Sequence, residues 1–395
     1  MTGGQALVQS LKREGVRTIF GLPGIQLDWA FDALHAERDN IRVIHPRHEQ
    51  AAGYMADGFA RTTDDIGTFL VVPGPGVLNA TAALSTSFAC NARVLCLTGQ
   101  IQSDLIGAKR GVLHEIDGQM ELIRHLTKWS ARGMTPAEIP GLVHEAFRQL
   151  RSGRPRPVEL EVPPDVLQAT GNVELGSPIP VDRMAGDSDL LERAARALGE
   201  ARRPIIFSGG GVLASGAWDE LRRLAELLEA PVIMTANGRG AVSDRSYLAQ
   251  RQSAIPDLLA TADAVLAVGT RMVHFANQPI DVGPNRPFVR IDADAEQVNR
   301  NSTPTIGIAA DAKAALAELV TRVERHNRHR ESRQDELATI KAEIEKIVNE
   351  ADPQASYGLA LREELPDDGI VVSESTQVGY WCSYGLPVYE PRTYL

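Results

Sequence analysis

Short apolar runs that alternate with helical segments constrain the fold of this 395-residue chain more than any other feature. In the first part of the chain these runs lie at residues 16–20, 41–44, 68–72 and 93–97, and residues 158–162 (Val-Glu-Leu-Glu-Val) indicate a further strand. Strands that are apolar throughout and separated by helices are typical of a parallel sheet with helices on both faces. The pattern therefore predicts an α/β domain over residues 1–170.

A second set of apolar runs follows a polar, Gly- and Pro-containing stretch (171–187), which we interpret as a linker. These runs lie at residues 204–207, 231–234, 264–268 and 288–291. Each run ends in a turn that carries Gly or Asp. The pattern predicts a central, Rossmann-like α/β domain over residues 188–325.

The remaining residues predict a connecting helix and the beginning of a third α/β unit. Residues 326–350 are highly charged, with a narrow apolar stripe at helical spacing formed by Leu337, Ile340, Ile344 and Ile347. Residues 352–395 contain a helical segment and then an apolar run at 369–372. So short a stretch cannot bury a core of its own, so we expect it to be an incomplete domain.

Composition excludes several classes of function. The formal net charge is −10 and no basic stripe stands out, which argues against nucleic-acid binding. No apolar run is long enough to span a bilayer, and the N-terminus does not have the pattern of a signal peptide. Cys90, Cys96 and Cys382 lack the spacing of a zinc site or a disulfide framework. We therefore expect a cytoplasmic protein without a membrane segment.

Three loops are predicted to meet at the carboxyl-end edge of the first sheet, where open parallel sheets bind ligands. They are residues 21–24, the segment that enters Glu49, and residues 73–76 together with Asn79. Their glycines let a ligand approach the backbone closely, and their prolines make the turns rigid. Ordinary strand-to-helix turns are the alternative for any one of these loops, but not for the three together with Glu49.

Glu49 is the candidate catalytic residue. It lies between the apolar run 41–44 and a Gly- and Ala-rich helical segment. We expect its carboxylate to enter a buried cleft, where the surroundings tune its proton affinity for exchange with a cofactor ring. The alternative is that Glu49 caps the helix or interacts with the helix dipole.

Several motifs match one enzyme family. They are residues 20–24 (FGLPG), 47–52 (RHEQAA), 56–61 (ADGFAR) and 73–79 (PGPGVLN), with weaker matches at 98–100, 153–158, 209–212, 291–294 and 391–394. On these motifs the chain resembles the thiamine-diphosphate-dependent enzymes of the acetolactate synthase and benzoylformate decarboxylase group. The resemblance implies a pyrimidine-binding-type domain at 1–170, a central domain at 188–325 and the start of a diphosphate-binding-type domain at 352–395.

The resemblance also implies roles for individual residues. Glu49 would bond a ring nitrogen of the cofactor's aminopyrimidine, and so help to remove the thiazolium C2 proton. The other residues that match cofactor-contacting positions are Leu22, Pro23 and Gly24 on the pyrimidine side, Pro75 and Asn79, and Gln377 near the diphosphate with Thr376 and Val378 beside it. Val72 stands where acetolactate synthases usually have Thr, so one polar contact is expected to be missing.

The loop at residues 113–115 is expected to face the substrate. Acetolactate synthases usually carry Phe-Gln-Glu there, whereas this chain has Leu-His-Glu. This departure argues against the acetolactate reaction itself. His114 is a candidate proton shuttle, because imidazole titrates near neutral pH. A histidine on a surface loop is the equally weighted alternative.

The family resemblance implies thiamine diphosphate and Mg²⁺ as cofactors. The family's Gly-Asp-Gly and Asn-Asn motif, whose oxygens suit Mg²⁺, is missing from the expected place, so we assign no metal ligand here and expect them beyond Leu395. FAD is a less favoured candidate, with residues 209–212, 237–240 and 270–271 as contacts. Relatives with the same fold use no nucleotide or an ADP-like ligand.

The resulting prediction is cleavage or formation of a C–C bond on a 2-oxo acid or aldehyde. The expected assembly is a homodimer, a homotetramer or a complex with a separate chain that carries the diphosphate-binding domain. The alternative is a non-catalytic or split subunit of such an enzyme. A nicotinamide oxidoreductase is disfavoured, because no GxGxxG motif follows the first strand with an acidic residue at the required distance.

Overall fold

The computed structural model describes residues 1–274 and 278–395. These residues form two compact units, Met1–Asp182 and Arg183–Leu395. Within the described part of the chain, no helix combines the length and the apolar character needed to cross a bilayer.

The first unit is built on a six-stranded parallel sheet with the strand order β2-β1-β3-β4-β6-β5. Its strands are β1 Thr18–Gly21, β2 Arg42–Ile44, β3 Gly67–Val71, β4 Val94–Gly99, β5 Trp129–Arg132 and β6 Val158–Val162. Its helices are α1 Gly3–Arg13, α2 Asp28–Ala36, α3 Glu49–Thr62, α4 Pro75–Cys90, α5 Gln119–Ile123, α6 Ile139–Arg151 and α7 Pro164–Gln168, with short 3₁₀ helices at Ile25–Leu27 and Ser103–Leu105.

Helices cover both faces of this sheet, as the apolar strands predict. On one face α1, α2, α6 and α7 bury a cluster that includes Leu11, Leu34 and Phe147. On the other face α3, α4 and α5 bury a second cluster around Phe69 and Leu84. β3, β4 and β6 are buried along their whole length. β3 and β4 are apolar at most positions, as burial on both faces predicts, whereas β6 carries Glu159 and Glu161 on one side.

The second unit has its own six-stranded parallel sheet with the order β12-β11-β10-β7-β8-β9. Its strands are β7 Pro204–Ser208, β8 Val232–Met234, β9 Ala249–Arg251, β10 Ala264–Val268, β11 Phe288–Asp292 and β12 Ile306–Ala309. Its helices are α8 Ser188–Glu200, α9 Gly210–Ser215, α10 Trp218–Leu228, α11 Ile255–Thr261, α12 Ala295–Val298, α13 Ala312–Val323, α14 Gln334–Asn349, α15 Gln354–Glu364 and α16 Gln377–Gly385, with 3₁₀ helices at Ala236–Gly238 and Gln252–Ala254.

The strands that sequence patterns did not predict are all edge strands. β5 ends the first sheet, and β9 and β12 end the second. An edge strand has one open side, so it needs no continuous apolar sequence. β5 (Trp-Ser-Ala-Arg) is half-buried, and β9 (Ala-Gln-Arg) is polar at two of its positions. The hydrophobic pattern therefore gave no signal at β5 and β9, whereas β12 (Ile-Gly-Ile-Ala) is a short apolar strand that was overlooked.

Two further expectations need correction. The apolar run 369–372 does not form a strand, because only Val371 pairs, through an isolated bridge to Tyr394. The connecting helix begins at Gln334 and not at residue 326, since residues 327–333 have no helical structure. Three residues of the stripe on this helix pack inward, because Leu337 is buried and Ile340 and Ile344 lie against the core of the second unit. The fourth, Ile347, is exposed.

Candidate active site

The order of the first sheet creates a switch point between β1 and β3. The chain adds β2 on one side of β1 and then returns to place β3 on its other side. The loops that leave the carboxyl ends of β1 and β3 therefore diverge, which opens the crevice where ligands bind in such sheets. These loops are residues 22–24 and residues 72–76, two of the three loops that the sequence selected.

The side chain of Val72 packs against both of these loops. A Cβ atom on Gly24 would overlap Val72 Cγ1, and one on Gly76 would lie 2.7 Å from Val72 Cγ2. The valine side chain is thus packed between two residues that have to be glycine, and it is buried. The apolar side chain of Val72 therefore has a packing role.

Leu22, Pro23 and Gly24 follow β1 in the order that the sequence predicted. The Leu22 amide donates to the carbonyl oxygen of Leu70 (3.2 Å), which continues the pairing of β1 with β3 for one more residue. Leu22 packs against the cluster beneath α3 and α4, whereas Pro23 is exposed. The loop is therefore anchored at its start and open at its tip.

Glu49 and Asn79 are brought together. Glu49 is the first residue of α3, and Asn79 lies near the start of α4. Asn79 Nδ2 donates to Glu49 Oε2 at 3.0 Å. His48 is the N-cap of α3, with Nδ1 accepting from the Gln50 amide (3.1 Å), so Glu49 does not serve as the cap.

The expectation that Glu49 enters a buried cleft is wrong for this unit. Its side chain is half-buried, and that of Asn79 is exposed. The reason is that α3 and α4 pack side by side on the sheet, and this pair lies at their solvent-facing ends. A carboxylate in the first turn of a helix is also favoured by the helix dipole, so that alternative stays open.

Gly74 is closely packed against a neighbouring backbone segment at this edge of the sheet. It is the N-cap of α4 with φ +59° and ψ −113°, a conformation that only glycine adopts without strain. A Cβ atom there would overlap the carbonyl oxygen of His114 and lie 3.0 Å from its carbonyl carbon. Pro75 follows as the first residue of α4, where its fixed φ suits the helix start, and it is exposed.

His114 lies against this turn, with its backbone next to Gly74. It has φ +69°, a left-handed conformation that is uncommon for a residue with a side chain. The residue is half-buried, and its Nδ1 atom is buried without a hydrogen-bond partner among the described residues. A buried ring nitrogen without a partner is available to a ligand or a water molecule.

A buried network below these loops was missed by the sequence analysis. Gln119 is only 2% exposed, and its Oε1 accepts from the Gly74 amide at 2.9 Å. Its Nε2 donates to the Gly99 carbonyl oxygen (3.1 Å) and to Glu161 Oε2 (2.8 Å). The available signal was the sequence of β6, Val-Glu-Leu-Glu-Val, in which two charged residues interrupt an otherwise apolar buried strand.

The two carboxylates of β6 are in different surroundings, although both are completely buried. Glu161 forms an ion pair with Arg132 on β5. Glu159 accepts from Thr98 Oγ1 at 3.0 Å. Burial, and then the neighbouring Glu161, raise the pKa of Glu159 well above its usual range. Burial and the same two carboxylates also raise the pKa of the Cys96 thiol, which disfavours a reactive thiolate.

The raised pKa of Glu159 predicts a pH-dependent stability. The unfolded chain releases this proton near pH 4.5, whereas the folded chain retains it, so wild-type stability falls as the pH rises above 4.5. Glu159→Gln keeps the acceptor for Thr98 but does not ionise. We expect its melting temperature, relative to wild type, to be higher at pH 8 than at pH 5.5, since each pKa unit corresponds to about 1.4 kcal/mol.

Thermal unfolding of both proteins at the two pH values checks this expectation. Glu174→Gln, at an exposed position of the same unit, controls for the change in net charge. An equal difference between Glu159→Gln and wild type at both pH values would show that Glu159 ionises normally in the folded chain.

Thr376, Gln377 and Val378 lie at the start of α16 in the second unit. Thr376 is the N-cap, and its Oγ1 accepts from the Gly379 amide at 3.0 Å. The exposed side chain of Gln377 is hydrogen-bonded to Gln354, and Val378 packs on the cluster around Trp381. An exposed helix N-terminus is the kind of place that accepts a phosphate group.

The candidate nucleotide contacts of the second unit mostly contact one another. The switch point of its sheet lies between β7 and β10. There the Gly211 amide donates to the Gly269 carbonyl oxygen (3.1 Å), and a Cβ on Gly211 would lie 2.7 Å from Gly269 Cα. Arg239 is buried and donates to the Cys382 carbonyl oxygen (2.7 Å). The glycines at this edge thus allow close backbone packing.

The part of the chain that the structure describes contains no cluster of side chains that could hold a metal ion. No cluster of three or more His, Cys, Asp or Glu side chains with suitable geometry occurs in residues 1–274 and 278–395.

Two family patterns match the chain. "Thiamine pyrophosphate enzyme, N-terminal TPP binding domain" matches residues 1–122, and "Thiamine pyrophosphate enzyme, central domain" matches residues 191–319. The first match contains the Glu49–Asn79 pair and His114, and the second contains the sheet of the second unit.

Individual relatives are similar over most or all of the chain. A probable 2-ketoarginine decarboxylase of Pseudomonas aeruginosa is 32% identical over 404 residues, which cover 100% of this chain and 71% of the relative. A probable acetolactate synthase large subunit of Methanocaldococcus jannaschii is 34% identical over 335 residues, which cover 81% of this chain and 56% of the relative. The isozyme 1 large subunit of acetolactate synthase from Escherichia coli is 28% identical, over 100% of this chain and 71% of the relative.

The aligned parts of this chain thus span between 56% and 71% of the length of these relatives.

Proposed function

The chain belongs to the thiamine pyrophosphate enzyme family, and on this basis we propose that it takes part in cleaving or forming a C–C bond on a 2-oxo acid. The observation that carries the proposal is the Glu49–Asn79 pair at the switch-point edge of the first sheet. In this proposal Glu49 bonds the aminopyrimidine of thiamine diphosphate and exchanges a proton with it. Asn79 fixes the orientation of the carboxylate.

The residues at this edge fit the pyrimidine side of the cofactor. Gly24 and Gly74 each provide a position without a side chain in these two loops, and Pro75 makes the turn at Gly74 rigid. Glu49 is a carboxylate with one oxygen fixed by an amide donor. Thiamine diphosphate, when bound, supplies a thiazolium ring that accepts the electron pair released when the C–C bond breaks. His114, with its unpartnered Nδ1, is proposed to move protons on the substrate side.

The diphosphate side needs residues beyond those described. We propose that Thr376, Gln377 and Val378 contact the diphosphate at the start of α16. Because the described residues hold no metal cluster, the Mg²⁺ ligands are proposed to come from the part of the relatives that this chain does not cover. That part is either a continuation of the polypeptide or a separate chain. The proposed assembly is a homodimer or homotetramer, or a complex with that separate chain.

The relatives indicate the range of reactions. One is named a 2-ketoarginine decarboxylase and others are named acetolactate synthases, so the proposed substrates are 2-oxo acids, with decarboxylation or carboligation as the outcome. Leu-His-Glu at residues 113–115 favours a reaction other than acetolactate formation. The close packing at Gly211 and Gly269 supports a central unit that works without FAD. We place this activity in the cytoplasm, because Cys90, Cys96 and Cys382 lack the sequence spacing of a disulfide framework.

A second candidate is a non-catalytic or split subunit. The observation that favours it is the missing metal cluster among the described residues. Such a subunit would contribute Glu49 and the loops of the first sheet, and a catalytic partner would supply the Mg²⁺ site.

Calorimetric titration with thiamine diphosphate in the presence of Mg²⁺ tests where the diphosphate site lies. We expect the 395-residue chain alone to bind weakly or not at all, because its described residues hold no cluster of ligands for the Mg²⁺ ion that neutralises the diphosphate. Binding at low-micromolar affinity would contradict this.

Adding a candidate chain with the diphosphate-binding domain tests the function itself. We expect thiamine-diphosphate-dependent CO₂ release or carboligation that neither chain shows alone. Product analysis with pyruvate, benzoylformate and 2-ketoarginine assigns the reaction. If the combined chains bind the cofactor but turn over none of a broad panel of 2-oxo acids, the catalytic proposal fails and the non-catalytic one gains.

A further inference from the structure

One buried amide joins three elements of the edge that carries the candidate site. Gln119 reaches the Gly74 amide after β3, the Gly99 carbonyl oxygen at the end of β4 and the Glu161 carboxylate on β6. All donors and the acceptor of its amide group are thereby used, in a position that is almost inaccessible to water. Such a fully satisfied buried side chain fixes the elements that it bonds.

Glu161 determines which way this amide points. A carboxylate that is paired with Arg132 can only accept hydrogen bonds, so it selects the Nε2 end of Gln119. The Oε1 end is then left for the Gly74 amide. The reverse orientation would place two acceptors against each other and two donors against each other, so the amide cannot flip without losing its bonds.

Gly74 is therefore held by both ends of one short segment, residues 114–119. Its amide bonds the side chain of Gln119, and its Cα packs against the backbone of His114. His114 is in a left-handed conformation, and Gly118 before Gln119 has φ +67°. A segment with such conformations at both ends keeps its shape only where its surroundings fix it.

We propose that Gln119 is a positioning residue that latches the segment 114–119 to the Gly74 turn and so holds His114 at the edge where Glu49 and Asn79 lie. The catalytic effect of this latch depends on the function proposed above. The latch itself is a property of the first unit, and it can be measured without any cofactor.

Hydrogen–deuterium exchange of the full chain measures the latch. Gln119→Met keeps the length of the side chain and removes its polar atoms. We expect the peptides that contain Gly74 and residues 110–118 to lose protection by at least about tenfold, the effect of losing a buried hydrogen bond, while peptides from α1 and α6 keep theirs. Gln149→Met is the matched control, because the half-buried Gln149 side chain donates to Glu145 within the same helix, α6. Unchanged protection at Gly74 would overturn the proposal.

Gln119→Glu gives a second test that a general loss of stability would not reproduce. A protonated carboxyl group resembles the amide, since it accepts from the Gly74 amide and donates to Glu161. Once ionised, it repels Glu161. The charged and titratable groups around this network include Glu161 and Glu159 on β6, Arg132 on β5, Arg124 after α5 and Cys96 on β4. We therefore expect the Gly74 peptide of this variant to be protected at low pH and to lose at least about tenfold in protection as the pH rises.

In that comparison the Gly74 peptide of wild type should be protected from exchange at every pH. The same peptide of Gln119→Met should have reduced protection at every pH. If Gln119→Met does not fold, the pH series of Gln119→Glu decides alone. Protection in Gln119→Glu that does not change with pH would overturn the latch.

Kinetics of the complete enzyme, including the diphosphate-binding part, test the catalytic consequence. For Gln119→Met we expect kcat/KM for the 2-oxo acid to fall by about tenfold, with the affinity for thiamine diphosphate changed by less than about threefold. An unchanged kcat/KM alongside raised exchange would show that Gln119 supports structure only. A wild-type enzyme without activity would instead refute the proposed function, and the exchange result would still decide on the latch.

Discussion

Glu49→Gln is expected to lower turnover by at least about 100-fold in the complete enzyme, the usual contribution of an acid–base group. Glutamine keeps the size of the side chain and still accepts from Asn79 Nδ2, so the local structure is retained. What it loses is the ability to take and return a proton. The expected loss is therefore in kcat, with little change in folding.

The matched control for this variant measures the effect of removing a carboxylate charge from the first turn of a helix. Glu49 lies in the first turn of α3, where any carboxylate is favoured by the dipole. Asp189 is an exposed carboxylate in the first turn of α8, in the other unit. Both Glu49→Gln and Asp189→Asn should cost about 0.3–1 kcal/mol of stability, and only Glu49→Gln should affect turnover. Turnover near the wild-type value in Glu49→Gln would contradict the assigned role.

Gly74→Ala is expected to be the most damaging single substitution at the edge. The added Cβ would overlap the carbonyl oxygen of His114, and the backbone at φ +59° and ψ −113° strains any residue with a side chain. Strain of this kind costs about 1–3 kcal/mol, and relief by movement would break the bond to Gln119. We expect a stability loss of about 2–4 kcal/mol and a fall in kcat/KM of at least about tenfold.

Gly141→Ala provides the comparison for this prediction. Gly141 lies on the exposed side of α6, and a Cβ there would meet no atom within 4 Å. Alanine is the better helix former, so this variant should be unchanged or more stable by up to about 1 kcal/mol. Urea unfolding and steady-state kinetics of both variants measure the contrast. A Gly74→Ala protein with wild-type stability and activity would show that the His114 segment is not held as we describe.

Most of the scaffold follows from the apolar pattern. β3 and β4 were predicted to within two residues, because a strand buried on both faces is mostly apolar. β6 was predicted with its observed bounds, although it carries two buried glutamates. The edge strand β5 was missed for the corresponding reason, since one open side removes that requirement. The loops at residues 22–24 and 73–76 were found through their Gly and Pro content.

The site was predicted less completely than the scaffold. The pairing of Glu49 with Asn79 confirms that two of the three loops converge, but neither burial nor hydrogen bonds can be derived from spacing. Gln119 was missed because a lone glutamine in a polar segment gives no signal. Its role depends on Gly74, Gly99 and Glu161, which are 45, 20 and 42 residues away along the chain. Only the tertiary structure brings these groups together.

The central claim is that Glu49 exchanges a proton with the aminopyrimidine and thereby promotes loss of the C2 hydrogen of thiamine diphosphate. The most direct measurement is the rate at which that hydrogen exchanges for deuterium in the assembled enzyme, followed by NMR after rapid quenching. We predict that wild type exchanges it at least about 100-fold faster than Glu49→Gln does, with Asp189→Asn equal to wild type. Equal exchange rates in wild type and Glu49→Gln, with the cofactor bound in both, would contradict the claim.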